Sequence, residues 1–238
     1  KTKDNSREKK THDIFYEGVG YFEAGNYPMA LEIYNEALNA SRDLGLATLT
    51  ARILNNKGII YAELSGHEKA LERFLEALRI NEQINDSINI AKTNANIGNL
   101  YINMRKLDEA LIHLQESQTI FEKEGLSNEI ARTLNNIGEV QKQLKNYTEA
   151  LRYHLDALQL RKELGDTRMI AHSYANVGSI YNLKGDHSGA VKYLDRALDL
   201  VDPEFDLPGL IGIYSYLADA YRGLNQYQEA SNYLYKGL

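Results

Sequence analysis

A small residue recurs every forty positions: Gly18, Gly58, Gly98, Gly138 and Gly178, with Ala218 in the sixth place. Three residues after each stand Tyr21, Tyr61, Tyr101, Gln141, Tyr181 and Tyr221. An alanine follows the small residue by twelve in every copy, at Ala30, Ala70, Ala110, Ala150, Ala190 and Ala230. Seven further on are Ala37, Ala77, Ser117, Ala157, Ala197 and Gly237. Self-similarity at one fixed period is the mark of stacked units, each of which buries its apolar face only against its neighbours. With slot 1 placed at Thr11, the repeats run 11–50, 51–90, 91–130, 131–170, 171–210 and 211–238, behind a polar lead-in, 1–10. The chain opens on a lysine, so it reads as a piece of a longer one.

Each unit reads as two helices. Apolar residues near slots 4, 7, 8 and 11 have the helical period and predict a first helix over roughly slots 1–14. Breaks follow at Gly25-Asn26-Tyr27, Ser65-Gly66-His67, Lys145-Asn146-Tyr147 and Gly185-Asp186-His187. A second helix is expected from about slot 18 to slot 34, ending at Gly45, Asn85, Gly125 or Gly165, residues that tolerate a left-handed cap. Asp86-Ser87, Ser127 and Asp166-Thr167 are the expected N-caps of the next helix. Asn146 with Glu149 has capping-box spacing, and Pro28 suits a first helical turn.

Glycine inside a helix costs about 1 kcal/mol against alanine. Its recurrence at slot 8, with alanine at slots 20 and 27, marks places where helices cross closely. Leu31, Leu71, Leu111, Leu151 and Val191 at slot 21, and Tyr34, Phe74, Leu114 and Leu194 at slot 24, are expected to fill the space between.

This set of slots resembles the tetratricopeptide repeat, and the forty-residue spacing is similar to the variant in Leu-Gly-Asn adaptor proteins and in bacterial signalling proteins. The resemblance spans about Asp13 to Leu238. It implies an all-α fold, a right-handed superhelical solenoid of six helix–turn–helix repeats. Some residues depart from the pattern. Glu17 and Lys57 hold slot 7, where Ile97, Ile137, Val177 and Leu217 stand later, and are placed to pair with each other. Asn94 replaces an apolar slot 4. Pro203 and Pro208 are expected to shorten the second helix of repeat five. The last repeat ends with Tyr233, Leu234 and Leu238 and no polar capping helix, so self-association through it is an expectation.

The chemistry that the chain excludes is broad. Lys and Arg number 27 against 33 Asp and Glu, a net charge of −6, which argues against a general nucleic-acid binder. With no cysteine there is no disulfide, thiolate metal site or cysteine nucleophile. No apolar run approaches the roughly 20 residues of a membrane helix. The compartment is left open. Gly18-Val19-Gly20 lies within a helical segment and lacks the third glycine of a nucleotide loop. The six histidines are spread over separate repeats and do not converge on one metal. No enzyme, cofactor or metal function is expected.

One constellation remains. Slots 2, 5, 6 and 9 share the helix face opposite the buried stripe. Slot 6 reads Asn56, Asn96, Asn136 and Asn176, with Tyr16 and Tyr216 at the ends. Slot 5 adds Asn55 and Asn135, and slot 9 adds Asn99. Slot 2 reads His12, Arg52, Lys92, Arg132 and His172. A carboxamide both donates and accepts, so a row of them suits the backbone of an extended peptide, and a cationic row beside it favours acidic ligands. The resemblance implies that this face is concave and binds a protein or peptide. Two alternatives stay open: the asparagines contact a ligand, or they bond between repeats and fix the stacking. The output is open as well, between a free-standing scaffold and a regulatory input module of a signalling protein.

Overall fold

The computed structural model describes Thr2–Leu238, with side chains from Asn5 onward. All its regular structure among these residues is helical, in twelve helices. They are α1 (Thr2–Glu23), α2 (Tyr27–Asp43), α3 (Ala47–Glu63), α4 (His67–Gln83), α5 (Ser87–Asn103), α6 (Leu107–Lys123), α7 (Ser127–Gln143), α8 (Tyr147–Leu164), α9 (Thr167–Leu183), α10 (His187–Leu198), α11 (Leu207–Gly223) and α12 (Tyr227–Lys236). Odd-numbered helices are the first of each pair and even-numbered ones the second. From Thr2 the polar lead-in continues α1; Lys1 lies outside the described residues. The chain divides into two compact units, 1–120 and 121–238, with the division inside α6.

In unit 1, α1 packs on α2 and α3 on α4, and the first helices α1, α3 and α5 also touch in sequence. In unit 2, α7 packs on α8, α9 on α10 and α11 on α12, and α9 touches α11. The slot-8 glycines explain the closeness of each pair. A Cβ on Gly58 would stand 2.5 Å from the Phe74 ring, and one on Gly98 2.7 Å from Leu114. Gly18 meets Tyr34, Gly138 meets His154 and Gly178 meets Leu194 in the same way. Tyr34, Phe74, Leu114, His154 and Leu194 are all buried. The slot-20 alanines and the slot-27 small residues of the first five repeats are buried with them, whereas Gly237 and the slot-21 residues Leu31, Leu71, Leu111, Leu151 and Val191 are only half-buried. In repeat six the slot-24 residue is Leu234, and it is exposed.

The turns sit where the sequence places them. Gly45, Asn85, Gly125 and Gly165 all have positive φ, between 55° and 76°. Asn26, Asp86 and Asp166 accept the backbone N–H of Met29, Asn89 and Met169. Two caps differ from expectation. Asn146 holds the N-cap of α8 without a side-chain bond to that helix, because its Nδ2 donates to Gln141 Oε1 at 3.0 Å. The N-cap of α7 is Leu126, with no side-chain bond, and Ser127 is already helical. Helix α10 has 12 residues where α4 has 17, and Pro208 sits in the first turn of α11. Lys57 makes no pair with Glu17, which is exposed. It is buried and donates to Asn35 Oδ1 on α2. Asn94 is buried at slot 4, where its Oδ1 stands 2.8 Å from His113 Nδ1.

Candidate functional site

In unit 1 the contact of α1, α3 and α5 aligns slots 2, 5 and 6 of successive first helices. The result is an open cleft of about 290 Å³. Tyr16 and Phe15 line it from α1, Arg52, Asn55 and Asn56 from α3, Asn81 from α4, and Asn89, Lys92 and Thr93 from α5. Arg52 and Lys92 are exposed, and neither forms an ion pair among the described residues. The Arg52 guanidinium lies over the Phe15 ring, 4.8 Å from its centroid, which fixes the cation at the rim without neutralising it. A second, shallower cleft of about 230 Å³, with His12 and Glu8, meets the first at Arg52.

The carboxamides of this face are tied into the fold. Asn56 Nδ2 donates to the Tyr34 hydroxyl at 3.0 Å. Burial raises the Tyr34 phenol above its ordinary pKa, and the bond from Asn56 works in the opposite direction. Asn96 Nδ2 donates to Asn55 Oδ1 at 2.9 Å, linking slot 6 of one repeat to slot 5 of the preceding one. Asn99 is half-buried on the same face of α5.

Unit 2 repeats the pattern. Asn176 Nδ2 donates to Asn135 Oδ1 at 2.7 Å, and His154 Nδ1 approaches the same oxygen at 3.2 Å. Asn136 is half-buried beside Asn135. Arg132 is exposed and pairs with Glu129 one turn away at 3.2 Å. His172 Nε2 stands 2.6 Å from Asp206 Oδ2. The NH2 groups of Asn56, Asn96 and Asn176 are therefore used inside the protein, so the inter-repeat role of the row is realised. The cations at slot 2 lie outside that network.

Slot 31 escapes the sequence reading. It holds Ser41, Asn81, Phe121, Arg161 and Val201, a set with no common chemistry and hence no visible period. Yet it brings a second-helix side chain onto the next first helix. Asn81 Nδ2 donates to Thr93 Oγ1 at 3.4 Å, and Arg161 Nη1 donates to Ser173 Oγ at 2.6 Å and to the Met169 carbonyl at 3.2 Å. Among the described residues no three His, Asp or Glu side chains come together as a metal site. None of the helices is long and apolar enough to cross a membrane.

The family profile described as tetratricopeptide repeat matches residues 16–83, 89–163, 129–202 and 168–238. No curated protein sequence matches the chain. Among solved structures, it is similar to a signal-transduction ATPase with numerous domains from Pyrococcus horikoshii, described as having a tetratricopeptide repeat sensor. That likeness has a TM-score of 0.84 at 18% identity and covers 96% of this chain and 36% of the other. The apo form of RapI gives a TM-score of 0.78 at 21% identity, covering 96% and 82% of the two chains. A Rap protein complexed with competence and sporulation factor gives 0.75 at 16% identity, covering 95% and 74%. At these identities the likenesses show the fold.

Proposed function

Because the chain belongs to the tetratricopeptide-repeat family, we propose that it is a non-catalytic interaction module that binds an extended, acidic protein or peptide segment on its first-helix face. The observation that carries this is the unit 1 cleft, where Arg52 and Lys92 stand as unneutralised cations beside Asn55 and Asn56. A carboxylate of the ligand meets the cations, and its backbone runs along the carboxamides. Charge-assisted hydrogen bonds of this kind contribute about 1.5–3 kcal/mol each, so several of them are needed for micromolar binding, which takes about 8 kcal/mol. Because one N–H of each of Asn56 and Asn96 is already engaged, the cations supply more of the affinity than the asparagine row.

The test is a peptide array with graded Asp and Glu content, probed with the intact chain and with the Arg52→Ala/Lys92→Ala variant. Retention should rise with acidic content and fall at least tenfold in the variant. Equal retention by both proteins removes the proposal.

The second reading differs in output: ligand binding here regulates an attached signalling segment. Its support is that one similar structure is described as a signal-transduction protein with a tetratricopeptide repeat sensor and another as a complex with competence and sporulation factor. Self-association through repeat six is a further proposal, resting on exposed Leu234 and Tyr235. Sedimentation over a range of concentrations tests it, and a constant monomer mass would dispose of it.

A further inference from the structure

The unit 1 cleft is walled by first helices, and Asn81, from α4, is its one second-helix lining residue among the described residues. Asn81 is 2% exposed, whereas Arg52 and Lys92 stand exposed at the rim. Its Nδ2 donates to Thr93 Oγ1 at 3.4 Å. Thr93 spends its own hydroxyl proton on the Asn89 carbonyl at 2.8 Å, so toward Asn81 it only accepts. That fixes the orientation of the carboxamide: Nδ2 faces Thr93 and Oδ1 is the other end. Oδ1 is buried and accepts from no described residue.

A buried acceptor without a donor is rare in a folded chain, because burial removes water and gives nothing in exchange. The equivalent side chain one repeat earlier has no such deficit. Ser41 donates to the Leu38 carbonyl at 3.0 Å and accepts from Thr50 Oγ1 at 2.9 Å. Donors that line the cleft are turned elsewhere. Asn56 Nδ2 goes to Tyr34, Asn89 Nδ2 goes to Asp86 Oδ2 at 2.7 Å, and the Arg52 guanidinium lies over Phe15. The volume of about 290 Å³ is at the small end of ligand sites and suits a single side chain.

We infer that Asn81 is the specificity residue of this cleft and takes a neutral hydrogen-bond donor on one side chain of the bound segment, a carboxamide or a hydroxyl. A carboxylate has no proton to give Oδ1 and sets acceptor against acceptor. A Lys or Arg side chain has the proton, but Arg52 and Lys92 oppose its charge. A carboxamide or hydroxyl donates to Oδ1 and still offers an oxygen to the cations. The inference rests on the proposed function for the acidic neighbours of that side chain, and adds one neutral position among them.

The experiment measures binding of capped pentapeptides to the full chain by fluorescence anisotropy. Two Glu residues stand on each side of a central residue, which is Gln, Ser, Glu, Met or Ala. Gln or Ser should bind about tenfold tighter than its apolar counterpart, Met or Ala, since the counterpart leaves Oδ1 unpaired. Gln should also bind tighter than Glu, although Glu adds a charge that Arg52 and Lys92 favour. A gain for Gln alone assigns the carboxamide, and a gain for Ser alone the hydroxyl. Asn81→Ser should erase the preference without lowering the urea midpoint, because it removes the unpaired acceptor and Ser41 already fills this slot one repeat earlier. The contrasts in the parent are read without any variant. Equal binding of Gln and Met and of Ser and Ala overturns the inference. So does a Glu peptide that outbinds both Gln and Ser, a preference that survives Asn81→Ser, or a large fall in its urea midpoint. If the contrasts vanish while Arg52→Ala/Lys92→Ala still weakens every peptide, this inference fails and the proposed function stands. If the contrasts hold and that double variant changes nothing, the proposed function fails and the Asn81 subsite stands. Binding of none of the peptides overturns both.

Discussion

Asn176 donates from Nδ2 to Asn135 Oδ1 at 2.7 Å, and Asn96 makes the same bond to Asn55 at 2.9 Å. In both, a slot-6 carboxamide reaches back one repeat to slot 5, so two successive first helices are pinned by half-buried side chains. Asn96→Ala should lower unfolding free energy by about 1–2 kcal/mol, because Asn55 Oδ1 loses its donor in a partly desolvated place, and Asn176→Ala should cost less, because Asn135 Oδ1 keeps His154 Nδ1 at 3.2 Å. Urea denaturation with an unchanged m-value checks this. An unaltered midpoint would mean that water replaces the bond without loss, which would return the asparagine row to ligand contact alone.

His154 supplies the second donor to Asn135 Oδ1 and is buried against Gly138. Burial, with the charges of Lys142 and Arg161, pushes its pKa down to about 4 from 6.5, against a weaker pull from Glu139. Folded His154 is thus neutral where the unfolded chain already takes a proton. The contribution is complete above pH 6.5, is lost as pH falls from 6.5 toward 4, and changes no further below that. The loss is about 3 kcal/mol. Leucine occupies the same slot at Leu114 and Leu194, so His154→Leu should keep the fold and flatten the stability profile across this window. A profile as steep as the parent's would place the titration elsewhere.

Two glycines in equivalent helices give opposite expectations. A Cβ on Gly58 would lie 2.5–2.6 Å from Phe74 ring atoms, whereas one on Gly20 would meet nothing within 4 Å. Gly58→Ala should destabilise by about 1–3 kcal/mol through overpacking. Gly20→Ala should stabilise by up to about 1 kcal/mol, since alanine is the better helix former. Thermal unfolding of the two variants should move the midpoints in opposite directions.

The legible and illegible parts of this chain divide by chemistry. Gly58 against Phe74 was readable because glycine is needed there and only a small residue serves; the same necessity recurs in each repeat and prints a period. The positive φ at Gly45 and Asn85 was readable for the same reason. Slot 31 was not, because its position against the next first helix admits Ser41, Asn81, Phe121 or Arg161 alike, each meeting different neighbours. The capping box at Asn146 failed because its carboxamide had a competing partner in Gln141. The slot-6 asparagines were visible as a row, but a row alone does not tell whether the partner is a ligand or the preceding repeat. That needed the Asn96 and Asn176 bonds.

Lys57 is the clearest case of a local departure whose consequence can be measured. It is 5% exposed at a slot where later repeats carry Ile97, Ile137, Val177 and Leu217. Its Nζ reaches only the neutral Asn35 Oδ1, and burial, then Arg73 and Arg42, lower its pKa, while Glu76 opposes them. Glu76 is committed to Arg42 and Arg73, so it does not neutralise Lys57 by contact. Replacing a buried charge with an apolar side chain of similar volume is commonly neutral or stabilising, by about 1–4 kcal/mol. Lys57→Ile should therefore raise the denaturation midpoint, toward the lower end of that range because the Asn35 bond is also lost. A fall in midpoint would show that the ammonium is held by more than Asn35, and Asn35→Ala in the parent would then be expected to cost little.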